Sequence, residues 1–294
     1  MLQELNPKNK DIQVYVKDGL YPREAAKVSV FDSSVQGGDA VWEGLRVYKG
    51  GIFCLDRHLD RLYTSAKTLA FADIPNKATI KKAIFETLEA NGMKDEVHIR
   101  LTLTRGEKIT SGMDPRLNQY GSCLIVLAEW KPLVYDNKNG IKIITAHIQR
   151  NSPRHLDSKI HHANLLNNIL AKIQANIAGA DAALMLDANG FVAELNGTNI
   201  FMVKDGTLYT PHADACLHGI TRGLILELAK EAGIPMVERN LSLTEFYGAD
   251  EVFCSGTMGE LTPIVAIDGR VIENQRNSNL LNKIQGLFVA KIPD

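Results

Sequence analysis

The 294-residue sequence has no run of about 20 apolar residues, the length a helix needs to cross a bilayer. It also has no excess of charge: Lys plus Arg number 33 and Asp plus Glu 34, for a formal net charge of −1. General nucleic-acid binding draws its affinity from basic side chains that displace counterions, so no nucleic acid is expected as a partner. Nor does the charge suit an anionic membrane surface. Only four cysteines occur, Cys54, Cys123, Cys216 and Cys254, and none forms CxxC. They read as reduced, mostly buried thiols of a cytoplasmic protein. The opening Met1–Pro7 lacks a basic stretch followed by an apolar core, so no signal peptide is expected. GxGxxG after a strand and the Walker GxxxxGK are both missing, which removes two common nucleotide cradles. Solenoid-period repeats and low-complexity tracts are missing as well.

What remains is an ordinary globular composition, 45% apolar and 23% charged. The length suits one large domain or two modest ones, at roughly 100–200 residues each. The clearest break is Trp130 to Gly140, where a Pro, a Gly and a polar Asp-Asn-Lys-Asn run separate two strand-like segments. It divides the chain into a smaller domain over 1–130, a linker over 131–139 and a larger domain over 140–294.

Strands and helices alternate in the first half. A hairpin is predicted about Lys49-Gly-Gly51, and a helix over 56–70 with Asp56 as N-cap and Leu59, Leu62, Tyr63 and Ala66 on one face. A second helix spans 78–90, and β-rich runs cover 97–104 and 122–128. In the second half 141–145 reads as a strand. A helix over 165–178 carries Leu166, Ile169, Leu170 and Ile173 on one face. Hairpins turn at Ala188-Asn-Gly190 and Asp205-Gly206. A helix over 221–232 closes at Gly233, Ser242 to Glu245 has capping-box spacing, 252–254 is a strand, and 265–272 forms a last hairpin. Many short strands with interspersed helices indicate an α+β fold, not a doubly wound sheet.

Four local features carry chemistry. Lys159 lies between a strand and an apolar helix among hydrophobic and small residues. Such a lysine is either an ordinary loop lysine or a desolvated amine able to attack carbonyls. Gly219-Ile-Thr-Arg222 opens a helix, either as a plain capped start or as an anion cradle of backbone amides. Ser255 to Pro263 is a small-residue turn after a strand, suited to conformation alone or to binding phosphate or carboxylate. Glu194 ends a half-buried strand. If buried, it needs a cationic partner. His155, His161 and His162 lack a third ligand at sensible spacing, so no metal is expected.

These features fall in the order seen in class IV aminotransferases, the fold-type IV pyridoxal-phosphate enzymes, and the chain resembles that family over almost its whole length. Gly38-Asp-Ala-Val-Trp-Glu-Gly-Leu-Arg-Val-Tyr48 and His58 to Lys67 carry the resemblance in the first half. Asn196-Gly-Thr-Asn-Ile-Phe201, Leu217-His-Gly-Ile-Thr-Arg222, Ala249-Asp-Glu-Val-Phe253 and Gly256 to Pro263 carry it in the second. It implies a two-domain fold like that of D-amino-acid aminotransferase, with the cofactor in the interdomain cleft and at least a homodimer. It also implies that Lys159 forms the Schiff base with pyridoxal 5′-phosphate and carries the proton, and that Glu194 pairs with the pyridine nitrogen. Arg61 would clamp the phosphate, helped by Ile220, Thr221 and Thr257.

Glu43-Gly-Leu-Arg-Val-Tyr48 is most similar to branched-chain amino-acid aminotransferases, which exchange an amino group with 2-oxoglutarate. The partners implied are small amino acids and 2-oxo acids. Trp42 would wall the side-chain pocket, and Met258 and Gly259 would bind the substrate carboxylate. Arg100 would receive a distal carboxylate or make a structural ion pair. Those enzymes usually carry tyrosine where this chain has Gly37 and His98, so its pocket is expected to be wider and differently polar. The usual Gly-Asn-Tyr after the lysine is replaced by Ile160-His-His-Ala-Asn-Leu165, leaving Asn164 as the candidate for the cofactor's phenolic oxygen. These departures keep D-amino-acid aminotransferase open, with Arg105 or His98 at the carboxylate. R-selective amine transaminase and aminodeoxychorismate lyase also stay open.

Overall fold

The computed structural model describes residues 4–49, 51–212, 214–274 and 279–293. The chain divides into two units. One holds the chain up to Pro132 together with Ile160–Asn164. The other holds Leu133–Lys159 and Leu165–Ile292.

In the first unit β1 (Gln13–Val16), β2 (Gly19–Pro22), β3 (Ala40–Tyr48), β4 (Gly51–Ile52), β5 (Val97–Thr104) and β6 (Cys123–Trp130) form one antiparallel sheet, in the order β2-β1-β6-β5-β3-β4. Period-two alternation sets its faces. Val97, Ile99, Leu101 and Leu103 are buried in the core, as are Val41, Leu45 and Val47. Trp42, Gly44 and Arg46 stand opposite Thr102, Arg100 and His98 on the other face. Three helices belong to this unit: α1 (Ser33–Gly37), α2 (Leu55–Thr68) and α3 (Lys77–Ala90). Leu59, Leu62 and Ala66 of α2 and Ile80, Ala83, Ile84 and Leu88 of α3 join the same core. Each large aliphatic side chain buried there contributes about 1.5–3 kcal/mol. Asp56 is not the N-cap of α2. Cys54 occupies that position at φ 53°, and Asp56 sits in the first turn, where its carboxylate meets Lys81 at 2.6 Å and complements the helix dipole.

The second unit has a mixed sheet built from β7 (Ile141–Thr145), β8 (Ala182–Leu186), β9 (Val192–Leu195), β10 (Asn199–Lys204), β11 (Thr207–Thr210), β12 (Met236–Glu238), β13 (Glu251–Gly256) and β14 (Glu260–Ile267), with β15 (Arg270–Val271) pairing β14. Its order is β12-β11-β10-β13-β14-β7-β8-β9, and β7 runs parallel to both β8 and β14. Asp205 and Gly206 both take positive φ, 48° and 73°, as a two-residue hairpin turn requires. The helices are α4 (Leu166–Ile177), α5 (Ile220–Glu231), α6 (Leu243–Tyr247) and α7 (Leu280–Val289). Buried Glu251 caps α7 by accepting the amides of Leu280 and Leu281 at 2.8 and 2.9 Å. The apolar face predicted on α4 does not enter a core. Small Ala171 and Ala175 let the helix approach Ala183 and Met185 closely, while Leu166, Ile169, Leu170 and Ile173 are exposed.

Candidate active site

In the second unit a single loop gathers three of the predicted groups. Lys159 donates through Nζ to the Asp214 carbonyl at 3.1 Å and lies 3.2 Å from Asp157 Oδ1. Asp157 also accepts the Lys159 backbone amide at 3.0 Å. With 33% of its side chain exposed, the Lys159 amine is clasped by the carboxylate of a residue two positions earlier. Three residues after Asp214, the Leu217 amide donates to Glu194 Oε2 at 3.3 Å, and the Leu217 carbonyl accepts from Asn199 Nδ2 at 2.9 Å. Gly219 then opens α5. A Cβ on Gly219 would fall 2.0 Å from Asn199 Oδ1, so any larger residue there would displace the Asn199 amide from its place beside Glu194 and Leu217. No side chain caps α5, which leaves its first amides, those of Ile220 and Thr221, directed outward along the helix dipole.

Glu194, on β9, has a cationic partner that sequence reasoning missed. Arg150 Nε donates to Glu194 Oε1 at 2.7 Å, and each side chain is only 6% exposed. Burial lifts the Glu194 carboxyl above its usual range, against the opposing pull of Arg150 and the Leu217 amide. A carboxyl of raised proton affinity is suited to sharing a proton with a ring nitrogen. Asn199, which also donates to Glu194, pairs with Ser255 across the β10–β13 ladder. Thr257, Met258 and Gly259 form the turn into β14, and the Met258 carbonyl accepts the Val134 amide at 3.0 Å. Ser255 Oγ is buried with no hydrogen-bond partner among the described residues. An orphaned hydroxyl, an uncapped helix start, an amide-rich turn and a buried carboxylate fit a phosphate-bearing pyridine cofactor. Lys159, Glu194, Ile220, Thr221 and Thr257 would hold it.

The first unit contains Arg61, Trp42, His98, Arg100 and Asn164. Helical spacing places His58 and Arg61 one turn apart on α2, facing fully buried Glu43 on β3. Arg61 donates through Nε to Glu43 Oε1 at 2.8 Å and through Nη2 to Oε2 at 2.6 Å. His58 Nδ1 lies 2.7 Å from Oε2, and His161 Nδ1 lies 3.1 Å from Oε1. Burial works against the charge on Glu43, but His161, Arg61 and His58 outweigh it and hold the carboxyl well below its usual range. Burial also pushes His161 down to about 4, so its ring is neutral at physiological pH.

On the other face of β3 and β5, the Arg100 guanidinium stacks 3.4 Å from the Trp42 ring centroid. No carboxylate pairs with Arg100 among the described residues, and burial lowers it to about 10. His98 Nε2 is buried without a partner and lies 3.5 Å from where a Gly44 Cβ would sit. Arg105, the other candidate for a carboxylate, is already engaged. Asp39 takes its Nε and Nη2 at 2.6 and 3.1 Å, and the Leu69 and Ala70 carbonyls take further donors. Asn164 is exposed and packs beside Gly38. No sequence signal pointed to Arg150, 44 residues before Glu194. Glu43, by contrast, was legible in principle from a strand carboxylate followed by His and Arg at helical spacing.

A sequence profile of the amino-transferase class IV family matches residues 40–267. The chain is 59% identical to branched-chain-amino-acid aminotransferase-like protein 2 of Arabidopsis thaliana over 96% of its own length, and it spans half the length of that relative. It is 42% identical to a putative branched-chain-amino-acid aminotransferase of Methanocaldococcus jannaschii, covering 94% of this chain and 95% of that one. Among solved structures, the branched-chain aminotransferase from the thermophilic archaeon Thermoproteus uzoniensis, with norvaline, superposes with a TM-score of 0.86. It is 33% identical, over 95% of this chain and 94% of that one.

Proposed function

The chain belongs to the class IV aminotransferases, and we propose that it moves an amino group between a branched-chain or other hydrophobic L-amino acid and 2-oxoglutarate, using pyridoxal 5′-phosphate attached to Lys159. The observation that carries this reading is the loop that ties Lys159, Glu194 and the start of α5 together through Asp214, Leu217 and Gly219. When bound, the cofactor supplies an electron sink for the pair left on the substrate Cα. Lys159 Nζ, released from the cofactor when the substrate amine takes its place, would as a neutral amine accept the proton from the substrate Cα and deliver it to cofactor C4′, and the second half-reaction would run the same transfers in reverse. Glu194, steadied by Arg150 and Asn199, keeps a proton at the ring nitrogen. Arg61, the amides of Ile220 and Thr221, and Thr257 hold the phosphate. The Met258–Gly259 turn orients the substrate carboxylate, and Trp42 walls the side-chain pocket. Arg100, a half-buried cation with no carboxylate paired to it among the described residues, suits the distal carboxylate of 2-oxoglutarate. The engagement of Arg105 by Asp39 favours this branch over the D-amino-acid one.

The working unit in this reading is a homodimer. Exposed Leu166, Ile169, Leu170, Ile173 and Ile177 form one apolar stripe on α4. Lys172 is the helix's single charge and is tied to the Asp181 carbonyl, so two copies can face one another across a two-fold without like-charge conflict. A cytoplasmic setting is supported by the cysteines, none of which forms a disulfide among the described residues. Mixing the holoprotein separately with L-leucine, L-glutamate and D-alanine tests the reading. The visible band of the bound cofactor should fade with the two L-amino acids, and Lys159→Ala should fold yet show no turnover. Fading with D-alanine alone, or normal turnover in the variant, would overturn it.

A further inference from the structure

We propose that Glu43, His58 and His161 are positioning residues that aim the Arg61 guanidinium at a phosphate monoester, and that they act by direction and not by net charge. This rests on the reading of Arg61 as the phosphate clamp.

A carboxylate offers about four acceptor sites, and four donors converge on Glu43. Arg61 Nε and His161 Nδ1 reach Oε1 at 2.8 and 3.1 Å, while Arg61 Nη2 and His58 Nδ1 reach Oε2 at 2.6 and 2.7 Å. The partners come from three separate pieces of the first unit. Glu43 lies on β3, and His58 and Arg61 lie on α2. His161 lies on the Ile160–Asn164 segment, which docks along the start of β3. There the Trp42 amide donates to the His161 carbonyl at 2.9 Å and the Ala163 amide to the Ala40 carbonyl at 2.8 Å. The His161 amide donates to Ser65 Oγ at 3.1 Å, and its ring meets Trp42 with centroids 4.1 Å apart. Both imidazoles aim Nδ1 at Glu43, so an N–H there donates to the carboxylate, a tautomer assigned from geometry; His161 Nδ1 lies farther, 3.4 Å, from Arg61 Nη2. Arg61 cannot rotate without breaking two charge-assisted hydrogen bonds and leaving a buried carboxylate short of donors.

Glu43 and Arg61 cancel in charge, so the pair presents a phosphate dianion with no net positive charge. What it presents is a guanidinium already fixed, whose ordering costs little on binding. Charge and direction predict opposite signs for Glu43→Gln. Removing the anion leaves Arg61 uncompensated, which should tighten phosphate binding if charge governs. It also replaces an acceptor with an amide that opposes Arg61 and His58, which should weaken phosphate binding if direction governs.

The test uses the full-length chain freed of cofactor, dialysed to equilibrium against pyridoxal 5′-phosphate or against pyridoxal, which lacks the phosphate. Variants are Glu43→Gln, His161→Phe and Arg61→Gln, with circular dichroism as a check on folding. His161→Phe keeps a ring against Trp42 and deletes only the donor. Glu43→Gln and His161→Phe should each lower the ratio of pyridoxal-phosphate to pyridoxal affinity about tenfold, with pyridoxal binding itself changed by less than about twofold. An unchanged or raised ratio in both overturns the proposal, and equal loss for both ligands would mark the cluster as merely structural. Should Glu43→Gln fail to fold, His161→Phe decides. Arg61→Gln separates the two levels. An unchanged ratio there refutes the clamp itself and the proposal with it, whereas a drop there with none in the other two refutes positioning alone.

Discussion

Acidification from pH 7.5 to 5.0 should cost the fold about 2 kcal/mol through His98 alone. Burial, with smaller contributions from Lys131, Arg100 and Arg46, lowers this imidazole from 6.5 to about 3. The folded chain therefore keeps His98 neutral throughout that range, while the unfolded chain takes up a proton as the pH drops below 6.5. Where the unfolded state binds more protons, stability falls with falling pH. At pH 5.0 the unfolded imidazole lies about 1.5 units below its own pKa, and at about 1.4 kcal/mol per unit the loss is about 2 kcal/mol. The loss would level off only near pH 3, where the folded ring also protonates. The carboxylate opposite it on β6, Glu129, lies 3.8 Å from Lys131 Nζ, and His98 Nε2 itself has no hydrogen-bond partner among the described residues. His98→Gln removes the titrating group. Urea unfolding of both proteins at pH 7.5, 6.5, 5.5 and 5.0 should show the variant's stability falling by about 2 kcal/mol less over that interval. Parallel curves would refute the buried, neutral assignment of His98.

Glu194→Gln should lower turnover by about a hundredfold or more while the cofactor stays bound, because an amide cannot keep the ring nitrogen protonated. Steady-state rates beside the visible spectrum check this, and an unchanged rate would remove Glu194 from the chemistry. Ile173→Lys puts a charge in the middle of the exposed stripe on α4 and should convert the proposed dimer to a monomer. Light scattering after gel filtration reads that change, and an unaltered mass at unaltered helicity would move the self-contact elsewhere.

Local pattern made much of the fold legible. Val97–Thr104 alternates strictly and is a strand over that whole span. Gly233 ends α5 in the left-handed conformation its sequence position suggested. What local pattern could not decide was which way a helix faces. α4 has an apolar stripe at helical spacing, but the sheet beneath it takes the alanines because they allow closer approach. The α2 cap failed for a related reason. Cys54 adopts a left-handed turn out of β4, which moves the helix start ahead of Asp56. At the candidate site, Lys159, Glu194 and the Gly219 helix start stood out as local features, each with an ordinary structural reading, and only their order along the chain joined them. Their partners were not legible, because Arg150 reaches Glu194 from 44 residues away and His161 joins Glu43 from 118 residues away.

Those partners share a logic. Each unit buries one glutamate against one arginine, Glu43 with Arg61 and Glu194 with Arg150, and in each pair the arginine Nε approaches within 2.8 Å. Buried ion pairs are weak sources of stability, since apolar residues of similar volume often serve as well or better. Neither pair is therefore explained by stability alone. In the proposed reading, the arginine of one pair is the group to be aimed and the glutamate holds it. In the other the glutamate is the group to be aimed and the arginine holds it. The pKa directions follow the same division. The carboxyl proposed as support, Glu43, is held low by three donor side chains, whereas the carboxyl proposed to meet a ring nitrogen, Glu194, is lifted by burial. Replacing Arg150 by an apolar residue should thus disturb Glu194 and the ring nitrogen while sparing phosphate binding, and replacing Glu43 should do the reverse.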